Sequence, residues 1–146
     1  MGQQQLLLIV LGVIIVGIAI AVGISMFKSN AQSSNRDQVI NDLNNLAAKA
    51  QQYYRKPTSM AGGGQSFNGF ALSASDIGNA NGGYGVRTTA PTSPGGSADT
   101  IQQAISGGPA AIYIVGVGTE KGNNTTLPVE ACLKVTANLD SAFVLN

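Results

Sequence analysis

The chain has 146 residues, enough for one domain of ordinary size. Only 10% of them are charged, against about 25% in a typical soluble domain. Its net charge of +1 does not predict nucleic acid as a partner, because phosphate neutralisation requires a basic face. With no His and a single Cys, Cys132, the composition excludes His-based zinc sites, an internal disulfide and His-dependent nucleophilic catalysis.

The first predicted element is an apolar helix, residues 1–27, whose core Leu6 to Phe27 contains no charged residue. A helix of that length spans roughly 33 Å, which matches a hydrocarbon core of about 30 Å. The segment lacks a polar stripe, so it belongs in lipid or in an equally dry protein environment. A cleaved secretory signal fits less well, because Met1 to Gln5 carries no Lys or Arg and the apolar run is too long.

The second predicted element, residues 28–56, continues the same helix in amphipathic form. Apolar residues recur at spacings of 4, 3, 4 and 3, which is the period of a helix with one buried face. Pro57 ends the helix, since a residue before proline is disfavoured in the helical region. Residues 3 to 55 are therefore predicted to form one helix whose second half packs on a head through Val39, Leu43, Leu46, Ala50 and Tyr53.

The remaining residues, 57–146, are predicted to form a globular head. A Gly-rich loop over residues 58–97 is too long to be structureless, so it is expected either to contain short strands or to cover a surface. A short helix over residues 98–106 follows. Alternating apolar and polar residues then predict a three-stranded antiparallel sheet over residues 111–145. The fold class is therefore α+β, with a long N-terminal helix packed on a small C-terminal antiparallel sheet.

This order of elements resembles that of type IV pilins and related pilin-like filament subunits over the full length of the chain. The most similar stretch runs from Gln3 to Phe27 and continues through Asn41-Asp42-Leu43 to Tyr53-Tyr54. The resemblance implies a non-enzymatic structural subunit without a cofactor. It also implies an inner-membrane precursor, a prepilin peptidase and a pilus assembly machinery that extracts the chain into a helical homo-oligomer at the cell surface. The residues expected in the fibre core are Gln5, Leu6, Leu7, Ile9, Val10, Val13, Ile14, Gly17, Ile18, Ala21, Val22 and Phe27.

The chain departs from the pilin pattern in two ways. The family usually has a glutamate just inside the apolar segment, whereas the nearest position here is Gln5, which is cheaper to bury but gives no charge pairing. Many family heads also carry a C-terminal disulfide, which one cysteine cannot form. Lys28 and Arg36 after the apolar run would by themselves favour a head in the cytoplasm, which conflicts with the cell-surface location that the resemblance implies. A basic leader removed from ahead of Met1 would resolve that conflict.

Two other functional classes stay open from the sequence. The chain could be a membrane-anchored exported binding module or a minor pseudopilin of a secretion machine. An exported enzyme would need a convergent catalytic cluster, for which the residues give no support. Asn123 and Asn124 each begin an N-glycosylation sequon, with a plain polar loop as the alternative explanation. The acidic residues form no calcium-binding run, so no metal is expected.

Overall fold

A computed structural model describes residues 2–91, 104–122 and 126–145 of the chain. Helix α1 runs without interruption from Gly2 to Arg55, which confirms the prediction of one helix across residues 3 to 55. No proline occurs within it, so nothing in the sequence breaks its hydrogen-bond ladder. At 1.5 Å per residue the helix is about 80 Å long. The apolar segment and the head-packing segment are therefore parts of one rod.

The glycines that follow α1 close its C-terminal end. The chain passes through a short 3-10 helix, Thr58–Met60, and then folds back on the last turn. The amide of Gly63 donates to the carbonyl of Tyr53 at 2.8 Å, and the amide of Gln65 donates to that of Tyr54 at 2.8 Å. A Cβ on Gly63 would collide with the carbonyl oxygen of Ser66, so this return path requires glycine.

The described residues contain one five-stranded antiparallel sheet rather than the predicted three strands. The strands follow one another in chain order, β1 Gly78–Asn79, β2 Gly82–Arg87, β3 Ala111–Lys121, β4 Pro128–Thr136 and β5 Asp140–Val144. The two additional strands, and the short helix α2 Ala74–Ile77, lie inside the predicted Gly-rich loop 58–97. Its expected short strands are therefore present.

Strand β2 was missed because glycines dominate it, and glycine normally weakens a strand. Here Gly82 allows close approach between the two backbones. A Cβ on Gly82 would meet the carbonyl oxygen of Val117 on the neighbouring strand. The two strands pair in register from Gly82 opposite Gly118 to Arg87 opposite Tyr113.

The predicted short helix 98–106 is wrong over its last three residues, and residues 98–103 lie outside the described part of the chain. Ala104 forms an antiparallel bridge with Ala71. The amide of Ile105 donates to the carbonyl of Phe70 at 2.8 Å, and its side chain is buried. The backbone of Ala104 and Ile105 therefore forms hydrogen bonds with the extended segment around Phe70 rather than within a helical turn.

The core lies between the second half of α1 and the central strands β3 and β4. Alternate residues of β4, from Val129 to Val135, face the helix and are fully buried. Cys132 lies on the opposite face of β4, as the alternation predicts, but it is also fully buried rather than exposed on a polar surface. The sheet is therefore dry on both faces at this position.

Candidate functional site

Among the described residues, the first half of α1 presents the largest apolar surface. Every large apolar side chain from Leu6 to Phe27 is between 50% and 81% exposed. The predicted fibre-core residues all lie on this part of the helix, and the head contacts none of them through a buried surface. The helix is long and apolar enough to cross a membrane. Its exposure shows that the covering environment must come from outside the chain.

The predicted head-packing stripe is confirmed. Val39, Leu43, Leu46 and Ala50 are buried, and Tyr53 is half-buried against the same core. These side chains repeat at the helical period and meet the inner faces of β3 and β4. The stripe therefore attaches the head to the second half of the rod.

Tyr53 and Tyr54 both anchor the loop that follows the helix. The ring of Tyr53 lies 5.5 Å from that of Phe70, and the ring of Tyr54 lies 4.8 Å from that of Phe67. The hydroxyl of Tyr53 also donates to the carbonyl of Asn68 at 2.8 Å. Both rings are partly buried and pack on phenylalanines of the segment that follows the helix. Tilted aromatic pairs at these distances hold the Gly-rich segment against α1.

A buried asparagine marks the point where the head begins. Asn35 is only 6% exposed and lies one turn ahead of Val39. Its amide nitrogen donates to the carbonyl of Asn81 at 2.9 Å, and its amide oxygen accepts from the backbone amide of Glu120 at 3.3 Å. Both ends of the side chain are thus satisfied, one by the turn between β1 and β2 and the other by the end of strand β3, which fixes both to the helix.

Asp42 is the centre of a second polar contact between helix and head. One of its carboxylate oxygens accepts hydrogen bonds from the hydroxyl of Tyr84 at 2.6 Å and from the amides of Asn79 and Asn81 at 2.9 and 3.0 Å. Burial raises the pKa of Asp42, but these three hydrogen bonds outweigh it, so the pKa lies below its ordinary value. Burial, followed by the bond to Asp42, raises the pKa of Tyr84. Both groups are therefore held in the forms that bond to each other.

Two helical turns further along, Lys49 forms an ion pair with Asp76 of helix α2. Its ammonium nitrogen lies 2.6 Å from a carboxylate oxygen of Asp76. Hydrogen bonds from Lys49 and Ser73 lower the pKa of Asp76. Between this pair and Asp42 lies an open cleft of about 190 Å³. The described hydrogen bonds engage both carboxylates with side chains of the head, so the cleft belongs to the attachment of the head.

On the opposite side of the helix, Gln51 reaches the last strand. Its amide nitrogen donates to a carboxylate oxygen of Asp140 at 2.9 Å. Arg55 lies four residues on and donates to the carbonyl of Ala137 at 3.5 Å. Polar contacts therefore flank the apolar stripe on both sides and prevent the head from rolling about the rod.

These polar attachments are what sequence reasoning missed. The residues Asn35, Asp42 and Lys49 recur at a spacing of seven, which places them in one line beside the apolar stripe. The amphipathic pattern by itself would place Asp42 and Lys49 on the face away from the head, because polar residues of an amphipathic helix usually face solvent. The seven-residue spacing was the signal that could have found them.

The other predicted site residues give no further feature. The sequon residues Asn123 and Asn124 lie outside the described residues. Within the described ranges, no group of three or more acidic or cysteine side chains is placed to hold a metal ion. Burial raises the pKa of the Cys132 thiol to about 12, with a smaller contribution from Glu130.

Comparisons with protein-family models, with curated proteins and with solved structures find no match to this chain. Its functional interpretation therefore depends on the residues and contacts described above.

Proposed function

We propose that this protein is a structural subunit of a type IV pilus-like extracellular filament, in which the apolar halves of α1 pack together to form the fibre core. The observation that carries the proposal is the uncovered apolar surface from Leu6 to Phe27. Keeping such side chains out of water contributes about 1.5–3 kcal/mol each, so outside the membrane these helices are stable only when they pack against one another. The same surface suits the lipid interior before assembly.

The rigid link between the apolar segment and the head favours a filament over a simple membrane anchor. An anchor can hold its cargo through a flexible linker, whereas a helical lattice needs every subunit to present the same surfaces to its neighbours. Here α1 continues unbroken into the head. Contacts from Asn35 to Gln51 then fix the head on the rod. The head orientation is thus set by the direction of the apolar segment.

The proposal includes the partners that the resemblance implies. The precursor resides in the inner membrane, a prepilin peptidase processes it, and an assembly machinery extracts it into the homo-oligomeric fibre. Gln5 lies on the exposed first part of α1 and presents an amide where pilins usually present a carboxylate. An amide can register neighbouring helices by hydrogen bonding without the cost of burying a charge.

Replacement of Ile14 by Asp tests the proposal. Ile14 lies midway along the apolar run, where a charge costs about 2.5–3.5 kcal/mol in a membrane helix. We expect the Ile14→Asp variant to give no fibres in sheared cell fractions viewed by negative-stain microscopy. The matched control is Ser33→Asp, which places the same charge on an exposed position of the same helix beyond the apolar run.

Membrane fractionation separates loss of assembly from loss of insertion, because the variant should still be found with membranes. Normal fibres from Ile14→Asp would contradict the proposal. A parent chain that stays in the membrane fraction and never yields fibres would instead identify a membrane-anchored module.

A further inference from the structure

One row of polar side chains crosses the sheet on the face away from α1. Arg87 of β2 lies opposite Tyr113 of β3, which in turn lies opposite Lys134 of β4. Directly paired residues of an antiparallel sheet share one face. Their neighbours along the strands, such as Val86 and Ile112, are buried in the core, which α1 covers, so the row lies on the opposite face. Two cationic side chains therefore flank one aromatic ring.

The two cations of this row have no anionic partner among the described residues. No hydrogen bond or ion pair joins Arg87 or Lys134 to another side chain of the described ranges. The Nε atom of Arg87 is buried and has no hydrogen-bond partner there. Glu130 lies on the same face of β4, but it is four residues from Lys134, or about 13 Å along the strand. A buried donor without an acceptor is costly, so an acceptor supplied by a ligand would stabilise this arrangement.

The row can be reached from solvent. Arg87, Tyr113 and Lys134 are each half-buried, whereas Val115 and Cys132 in the next row of the same face are fully buried. Adjacent strands lie about 4.8 Å apart, so the backbones of Arg87 and Lys134 are separated by roughly 10 Å. Side chains as long as these can converge from both sides, so one anionic group above the ring of Tyr113 can contact both.

We propose that Arg87, Tyr113 and Lys134 form a binding site for an oxyanion group such as a sulfate or carboxylate, and we call this set the oxyanion row. The guanidinium of Arg87 presents a planar fork of donors that matches such a group with two parallel hydrogen bonds. The ammonium of Lys134 adds a compact charge from the other side, and the hydroxyl of Tyr113 supplies a further donor. The site goes beyond the filament proposal and does not depend on it, because it lies on the face of the sheet away from α1.

A sulfate titration followed by NMR spectroscopy tests the site. The isotopically labelled full chain in detergent micelles is titrated with sodium sulfate at constant ionic strength, so that salt screening does not imitate binding. We expect a saturable shift of the Nε–H resonance of Arg87 and of the backbone amides of Tyr113 and Lys134. Arg87→Gln and Lys134→Gln should each weaken sulfate binding about tenfold, because each removes a charge-assisted hydrogen bond.

Lys121→Gln is the matched control. It removes the same charge from an exposed position at the far end of β3 and should leave sulfate affinity unchanged. Melting temperatures of all three variants are compared with the parent, and Lys134→Gln carries the test if Arg87→Gln does not fold.

Dextran sulfate and uncharged dextran then identify the source of the oxyanion. Dextran sulfate that binds more tightly than sulfate, with no binding of dextran, assigns the row to a polyanion, whereas equal affinity per sulfate group assigns it to a free oxyanion. Sulfate shifts that do not saturate, or that Lys121→Gln weakens as much as Arg87→Gln does, would overturn the inference and leave the filament proposal standing. Absence of fibres from the parent chain would overturn the filament proposal alone.

Discussion

Removal of the Asp42 carboxylate should measurably loosen the head from the helix. The Asp42→Ala variant deprives the hydroxyl of Tyr84 of a charged acceptor at 2.6 Å, and Tyr84 is only 3% exposed. A hydrogen bond to a charged group contributes about 1.5–3 kcal/mol to stability, and most of this contribution is lost when one partner stays buried without the other. The amides of Asn79 and Asn81 are less buried and can bond to water instead. We therefore expect a loss of about 2 kcal/mol in the free energy of unfolding, most of it from Tyr84.

The loss can be measured on the full chain in detergent micelles by thermal unfolding with near-ultraviolet circular dichroism. For a chain of this size, 2 kcal/mol lowers the melting temperature by roughly 4–8 °C. The matched control is Asp37→Ala, which removes an exposed carboxylate from the same helix and should change stability by less than about 0.5 kcal/mol.

A double-mutant cycle with Tyr84→Phe isolates the pair. If the bond between Asp42 and Tyr84 carries the effect, the two changes together should cost clearly less than the sum of the single changes, with a coupling energy of about 1 kcal/mol. Additive losses, or an Asp42→Ala variant as stable as Asp37→Ala, would refute the reasoning.

Three further predictions follow from the same contacts. Gly116→Ala should lower the free energy of unfolding by about 1–3 kcal/mol, because the new Cβ would lie 2.8 Å from a methyl carbon of Val39. The control Gly83→Ala should be close to neutral in thermal unfolding, because its Cβ would lie 3.8 Å from the nearest atom, the carbonyl oxygen of Ile77. Acid should destabilise the head, because folding lowers the pKa values of Asp42 and Asp76. The stability that these shifts contribute is present above about pH 4 and is lost as the pH falls through the pKa values of the folded state. Melting temperatures that stay constant from pH 5 to pH 2 would contradict this. Cys132, with its raised pKa and full burial, should resist alkylation by iodoacetamide at pH 8 in the folded chain and react once the chain is unfolded, as followed by intact mass.

The helix and its two-part character could be predicted from the sequence because both depend on local pattern. The charge-free run to Phe27 and the apolar spacing from Val39 to Tyr53 are short-range signals, and Pro57 marks the end. Strands β3 and β4 were predicted for the same reason, since β-branched residues and alternation are visible in a short window. The helix predicted over residues 3 to 55 is observed at Gly2–Arg55, and the sheet predicted over residues 111–145 has its last three strands between Ala111 and Val144.

Only the tertiary structure decided what lies beside the helix. Strand β2 forms in a glycine-rich segment because it pairs with β3, about thirty residues away in the chain, and no local propensity encodes that pairing. Asp42 attaches the head because Asn79, 37 residues further along the chain, folds against it. Lys49 does so because Asp76, 27 residues further along, folds against it. The sequence by itself determined the rod and its apolar half, because these are periodic along the chain, whereas the attachment of the head depended on long-range contacts that periodicity does not contain.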